Sequence, residues 1–139
     1  MKSVSLADHS ANPQITAGSR RKVPLAPQIQ TIYHTGFIVE NLDKALEFYV
    51  DFLGFKIERD PAISETPWIS EVVGYENVKM RQAYVGVGDG HSIELIEYMR
   101  PRGEKRSDQH DRNRPGSAHA AMVVDSVPEW RKLLEARGI

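Results

Sequence analysis

The chain of 139 residues contains no cysteine. Disulfide bridges, thiolate metal ligands and a cysteine nucleophile are therefore excluded, and the redox compartment stays open. Net charge is nearly absent as well: 18 Lys and Arg against 19 Asp and Glu leave −1 at pH 7. That balance supplies no electrostatic attraction to nucleic acid or to an anionic membrane. Long apolar runs are missing, since none approaches the roughly 20 residues that cross a bilayer. The opening "MKSVSLADHS" lacks the apolar segment of a secretory signal. The expected location is the cytoplasm, with neither membrane nor nucleic acid as a partner. Hydrophobic residues at 40% and charged residues at 27% are the proportions of an ordinary globular protein with one core.

What is present divides the chain. Residues 1–30 are rich in Ser, Pro, Ala and polar side chains without an apolar period, and are expected to be a flexible tail. The triplet Arg20-Arg21-Lys22 reads as part of that solvated tail. From there "TIYHTGFIV" is β-branched and aromatic and predicts a strand over 31–39. Asn41 can cap a helix, and Asp43 suits its first turn. Leu42, Ala45, Leu46, Tyr49 and Leu53 recur at helical spacing, and Gly54 is a natural stop. A strand over 55–59 should follow, then an irregular stretch with a short helix near 70–73. "KMRQAYVGV" and "HSIELIEYM" read as strands joined by "GDG", whose glycines can take the positive φ of a tight hairpin. Residues 100–116 form a charged linker. "HAAMVVDSVPEWRKLLEARGI" then repeats the strand and helix, with Ser126 and Glu129 placed for a capping box. At one constant offset His34 matches His119, Val39 matches Val124 and Asn41 matches Ser126.

His34 and His119 thus hold equivalent strand positions. Two residues on, and so on the same face, stand Gly36 and Ala121, small enough to leave space for a ligand. Glu94 interrupts the apolar run "SIELI". An acid there must pair, bind a metal or be neutralised, because an isolated buried carboxylate is costly. Two imidazoles and a carboxylate suit a divalent ion such as Fe, Ni, Zn, Co or Mn. The plainer alternative makes Glu94 a cross-strand partner of Arg81 or Lys79. Trp68, Tyr75 and Tyr84 are either cavity linings or packing residues. Arg81 and Gln82 face opposite ways. His91 and His110 are expected in solvent, and His9 in the tail.

Taken together, "YHTGFIVENLDKALEFYVDFLGF", "HSIELIEY" and "GSAHAAMVVDSVPEW" resemble the vicinal oxygen chelate superfamily. Its members include glyoxalase I, methylmalonyl-CoA epimerase, extradiol dioxygenases and the fosfomycin and bleomycin resistance proteins. The resemblance implies an α+β fold built from βαβββ modules, two of which cup a metal between them. It implies a glyoxalase-like domain over 31–139, with module one at 31–99 and a partial module two at 117–139. By the same resemblance His34, Glu94 and His119 match metal ligands. In such enzymes a carboxylate at the metal moves the proton, usually the module-two Glu that would lie beyond Ile139, and Glu94 is the carboxylate that the resemblance places at the metal in this chain. The implied activity is a metal-dependent lyase or isomerase of glyoxalase I type on a small oxygen-chelating substrate. Alternatives are an extradiol-type dioxygenase and a non-catalytic binding protein of the bleomycin-resistance kind. Only the first strand and helix of module two precede Ile139. The expectation is therefore either a longer protein or a homodimer in which a second copy completes the cup.

Overall fold

The computed structural model describes residue 27 and residues 29–104 and 117–139. Most of the expected tail, with His9 and the Arg20-Arg21-Lys22 triplet, lies outside the described residues, as does most of the expected linker with His110. The elements run β1 (His34–Ile38), α1 (Leu42–Leu46), β2 (Lys56–Ser64), α2 (Pro67–Val73), β3 (Lys79–Gly86), β4 (Ser92–Arg100) and α3 (Val127–Ala136). α1 continues as a π-helical segment over Glu47–Phe52. Among the described residues no helix is long and apolar enough to cross a membrane.

The four strands form one sheet in the order β1-β4-β3-β2. β1 lies parallel to β4, and the other pairings are antiparallel. This is the α+β, βαβββ arrangement that the sequence led us to expect. β1 is shorter than the predicted 31–39. Asn41 caps α1 by accepting from the Lys44 amide at 2.9 Å. A second acceptor comes from across the sheet: Glu97 Oε2 takes the Leu42 amide at 3.1 Å. Gly54, at φ +79°, ends the helical stretch as predicted. Gly88 and Gly90 turn the β3-β4 connection with φ of +84° and +90°.

The two sheet faces differ. On one, α1 buries Leu42 against Ala83, Val85, Ile93 and Leu95. On the other, α2 packs Ile69 with Val78 and Met80 beside Ile96 and Tyr98. That contact covers one end of the face and leaves the end near His34 uncovered. α2 begins earlier than the predicted 70–73, because Thr66 caps it through the Ile69 amide at 3.2 Å and Pro67 occupies its first turn.

β2 is longer than the predicted 55–59 and contains Pro61. An edge strand tolerates proline where its amide would face outward or where a bulge interrupts the ladder. Both conditions hold: β2 is an edge, and its pairing with β3 shifts register between Ile57 and Arg59 and again between Arg59 and Ala62.

The second strand-helix repeat is half realised. α3 forms, and Ser126 Oγ accepts from the Glu129 amide at 3.4 Å. Glu129 does not reach back, so the capping box is incomplete. Its carboxylate holds Lys132 at 2.8 Å, and the Ser126 amide donates to Asp125 instead. The strand expected from His119 is not formed. Residues 117–125 are exposed and pair with no strand among the described residues, and a strand lacking a neighbour has no ladder to stabilise it. α3 rests its Trp130 ring edge-on to Phe52, centroids 6.3 Å apart.

Leu42 is fully buried where α1 meets the sheet. Leu42→Ala should lower the unfolding free energy by about 2–5 kcal/mol in urea titration. Val123→Ala, at a fully exposed position, should stay within about 0.5 kcal/mol of the parent.

Candidate functional site

Parallel pairing of β1 with β4 sets Gly36 opposite Glu94 and His34 opposite Ser92. All four residues share the face that α1 does not cover. His34 Nε2 lies 3.1 Å from Glu94 Oε2. A Cβ placed on Gly36 would sit 3.7 Å from that same oxygen, so a methyl would fit and anything larger would fill the space over the carboxylate. On the other side of β4, Tyr84 of β3 stands opposite Glu94 and donates its hydroxyl to Oε1 at 2.7 Å. Glu94 is buried, with only 8% of its surface exposed. Its two oxygens are each occupied by a neighbour from a flanking strand.

The plainer account of Glu94 does not hold. Arg81 points to the opposite face, where it grips Asp43 with two bonds of 2.9 and 3.1 Å and approaches Glu97 at 3.6 Å. Lys79 pairs with Glu65 at 2.9 Å. Of the aromatics, Tyr84 belongs to the site, whereas Trp68 and Tyr75 are exposed. Gln82 shares the site's face, and its Oε1 is buried without a hydrogen-bond partner among the described residues. His91 bonds Thr35 at 2.9 Å near the hairpin.

Burial pushes the Tyr84 phenol up to about 12, with the bond to Glu94 and its charge adding to the effect and the Arg59 guanidinium opposing it. Arg59 lies 4.6 Å above the Tyr84 ring and donates to the Tyr33 hydroxyl at 3.1 Å. Its neighbour Glu58 reaches over Gly86 to accept from Ser92 Oγ at 2.6 Å. A Cβ on Gly86 would collide with that carboxylate. In an unbroken strand, consecutive residues face opposite ways. Here the register shift after Ile57 turns both charged residues to one face, as bulges do. The sequence reading missed Glu58 and Arg59. Pro61 hints at an irregular strand, but no local rule says which side chains a bulge re-aims.

His119 is placed elsewhere. It lines a cavity of about 770 Å³ with Thr35, His91, Ile93 and Trp130. Thr35 and Ile93 leave the sheet on the α1 side, opposite His34 and Glu94. The structure therefore brings His34 and Glu94 together and leaves His119 apart. Among the described residues no His, Asp or Glu cluster of three or more is assembled. An imidazole beside a carboxylate is a suitable donor pair for a borderline divalent ion. It supplies two of the three or four protein ligands that such ions usually take.

The family model for the glyoxalase/bleomycin resistance protein/dioxygenase superfamily matches residues 33–139. The chain belongs to that superfamily. A solved glyoxalase family protein from Bacillus cereus shares its fold, with a TM-score of 0.65 at 22% identity, over 84% of this chain and 77% of the other. A second solved structure, SMU.1112c, is 22% identical over 80% of this chain and 77% of its own, at a TM-score of 0.47. No curated protein matches significantly.

The raised Tyr84 value has a sign. A phenol that resists ionisation in the fold stabilises it fully below its usual value of 10, and that contribution is lost as pH rises towards 12. Phenolate absorbance, compared between the parent and Tyr84→Phe, should show this titration well above 10. Glu94→Gln should move it downward.

Proposed function

We propose that this chain is a metal-dependent enzyme of glyoxalase I type, a lyase or isomerase. Its substrate would be a small molecule presenting two neighbouring oxygens. The observation that supports the reading is the 3.1 Å approach of His34 Nε2 to Glu94 Oε2 on an open sheet face. Divalent metals are common among the superfamily's members. His34 and Glu94 would hold the ion, whose contribution is Lewis acidity towards the substrate oxygens.

The chain's own groups do the rest. Tyr84 occupies Oε1 and fixes the rotation of the carboxylate. That leaves Oε2, on the His34 side, as the oxygen directed at a ligand. In this role Glu94 also accepts the proton from carbon beside the substrate carbonyl and returns it to the neighbouring carbon. The missing side chain at Gly36 keeps Oε2 uncovered for the substrate. The remaining donors would come from a second copy in a homodimer, with His119 the candidate.

Titration of Ni(II), Zn(II) and Co(II) into the full chain tests the reading. His34→Ala and Glu94→Gln should each weaken binding on the order of 100-fold, since even loss of an outer partner costs about 10–100-fold. His119→Ala should weaken it as well, and unchanged affinity would remove that residue from the site. A parent protein that takes up none of these ions, or that when loaded does not turn over a hemithioacetal, would overturn the proposal, and turnover of a catechol in its place would point to the dioxygenase alternative.

A further inference from the structure

Arg59 makes no ion pair among the described residues, although it borders a face with two carboxylates. Glu58 is turned away to Ser92, and Glu94 lies beyond Tyr84. The guanidinium is nevertheless held in place. It lies over the Tyr84 ring at 4.6 Å and uses one N–H on the Tyr33 hydroxyl at 3.1 Å. Tyr33 in turn meets the His34 ring edge-on at 5.2 Å and the Tyr84 ring at 6.2 Å. A stacked guanidinium keeps its in-plane donors available, and a planar fork of N–H groups matches a carboxylate with two parallel bonds. Stacking also removes part of the freedom such binding would otherwise cost.

We propose that Arg59 is an anion anchor that selects substrates carrying a carboxylate apart from their chelating oxygens. This rests on the reading of His34 and Glu94 as the chelating end. Tyr84 links the two ends, with its ring face on Arg59 and its hydroxyl on Glu94. The chelating end and the anchor are thus one tyrosine side chain apart. Charge fixes the orientation of a bound acid. Glu94 and Glu58 repel a free carboxylate, and Arg59, held over the Tyr84 ring, attracts it. The substrate class is a small organic acid with a neighbouring oxygen pair at one end and the carboxylate at the other.

The test uses 3,4-dihydroxybenzoate and catechol, which share the oxygen pair and differ in the carboxylate. Calorimetry on the full chain, with and without Ni(II), should show the acid binding about tenfold or more tightly than catechol. Arg59→Gln should reduce that preference to less than about twofold while leaving catechol affinity unchanged, and Arg59→Lys should restore part of it. An unchanged unfolding midpoint in both variants would assign the effect to binding. A preference that survives Arg59→Gln, or its absence in the parent, including binding of neither probe, overturns the anchor. Nickel titrated alone separates the two ideas. Metal uptake through His34 with no role for Arg59 leaves the chelating site standing. An Arg59-dependent preference in a protein that takes up no metal leaves the anchor standing.

Discussion

A carboxylate buried on an interior strand must find partners, because desolvating its charge costs several kcal/mol that only hydrogen bonds and opposite charge offset. Glu94 meets that constraint with one neighbour from each flanking strand. His34 comes from β1 and Tyr84 from β3. The Tyr84 contact comes with the β3-β4 pairing, but the His34 contact exists only because β1 lies beside β4, although almost sixty residues separate them in the chain. A parallel pair cannot be joined by a hairpin and needs a crossover. The crossover begins with α1, and its first turn is tied to β4 by Glu97 through the Leu42 amide. The two acids of β4 lie three residues apart and so face opposite ways. One anchors the helix that covers the sheet, and the other faces the open side.

This division explains why the site is polar without weakening the core. Leu42, Leu95 and Val85 are sealed beneath α1. Arg81, which might have neutralised Glu94, is drawn to that covered side by Asp43 and Glu97. α2 closes one end of the other face with Ile69 against Met80. What remains open carries His34, Glu94, Tyr84, Arg59 and Glu58. The bulge in β2 adds the last two, and Gly86 leaves the space across which Glu58 reaches Ser92.

Much of this was legible beforehand. The alternation of β3 and β4, the helical period after Asn41, the glycines of the hairpin and the cap at Ser126 are local patterns, and local patterns survive folding. His34 stands out because His119 repeats its position and a small residue follows each on the same face, and Glu94 because an acid interrupts an apolar run. The start of α2 is signalled by Thr66-Pro67, a weak signal beside the loop-like residues around it. Glu58 and Arg59 looked like two exposed charges in "KIERDP", which is how an unbulged edge strand would have presented them. The expected strand at His119 failed for a different reason: β propensity selects an extended shape but does not supply a partner.

Local sequence marks every helix and strand that forms, the apolar faces of α1 and α3, and His34 and Glu94. Periodicity and capping act within a few residues, so they can be read along the chain. Which charges meet is settled by long-range packing. It paired Arg81 with Asp43 and Glu97, gave Glu94 to His34 and Tyr84, turned Arg59 onto the Tyr84 ring, and set His119 beyond the opposite face. Those choices depend on strand order and register, which arise from contacts between segments distant in sequence.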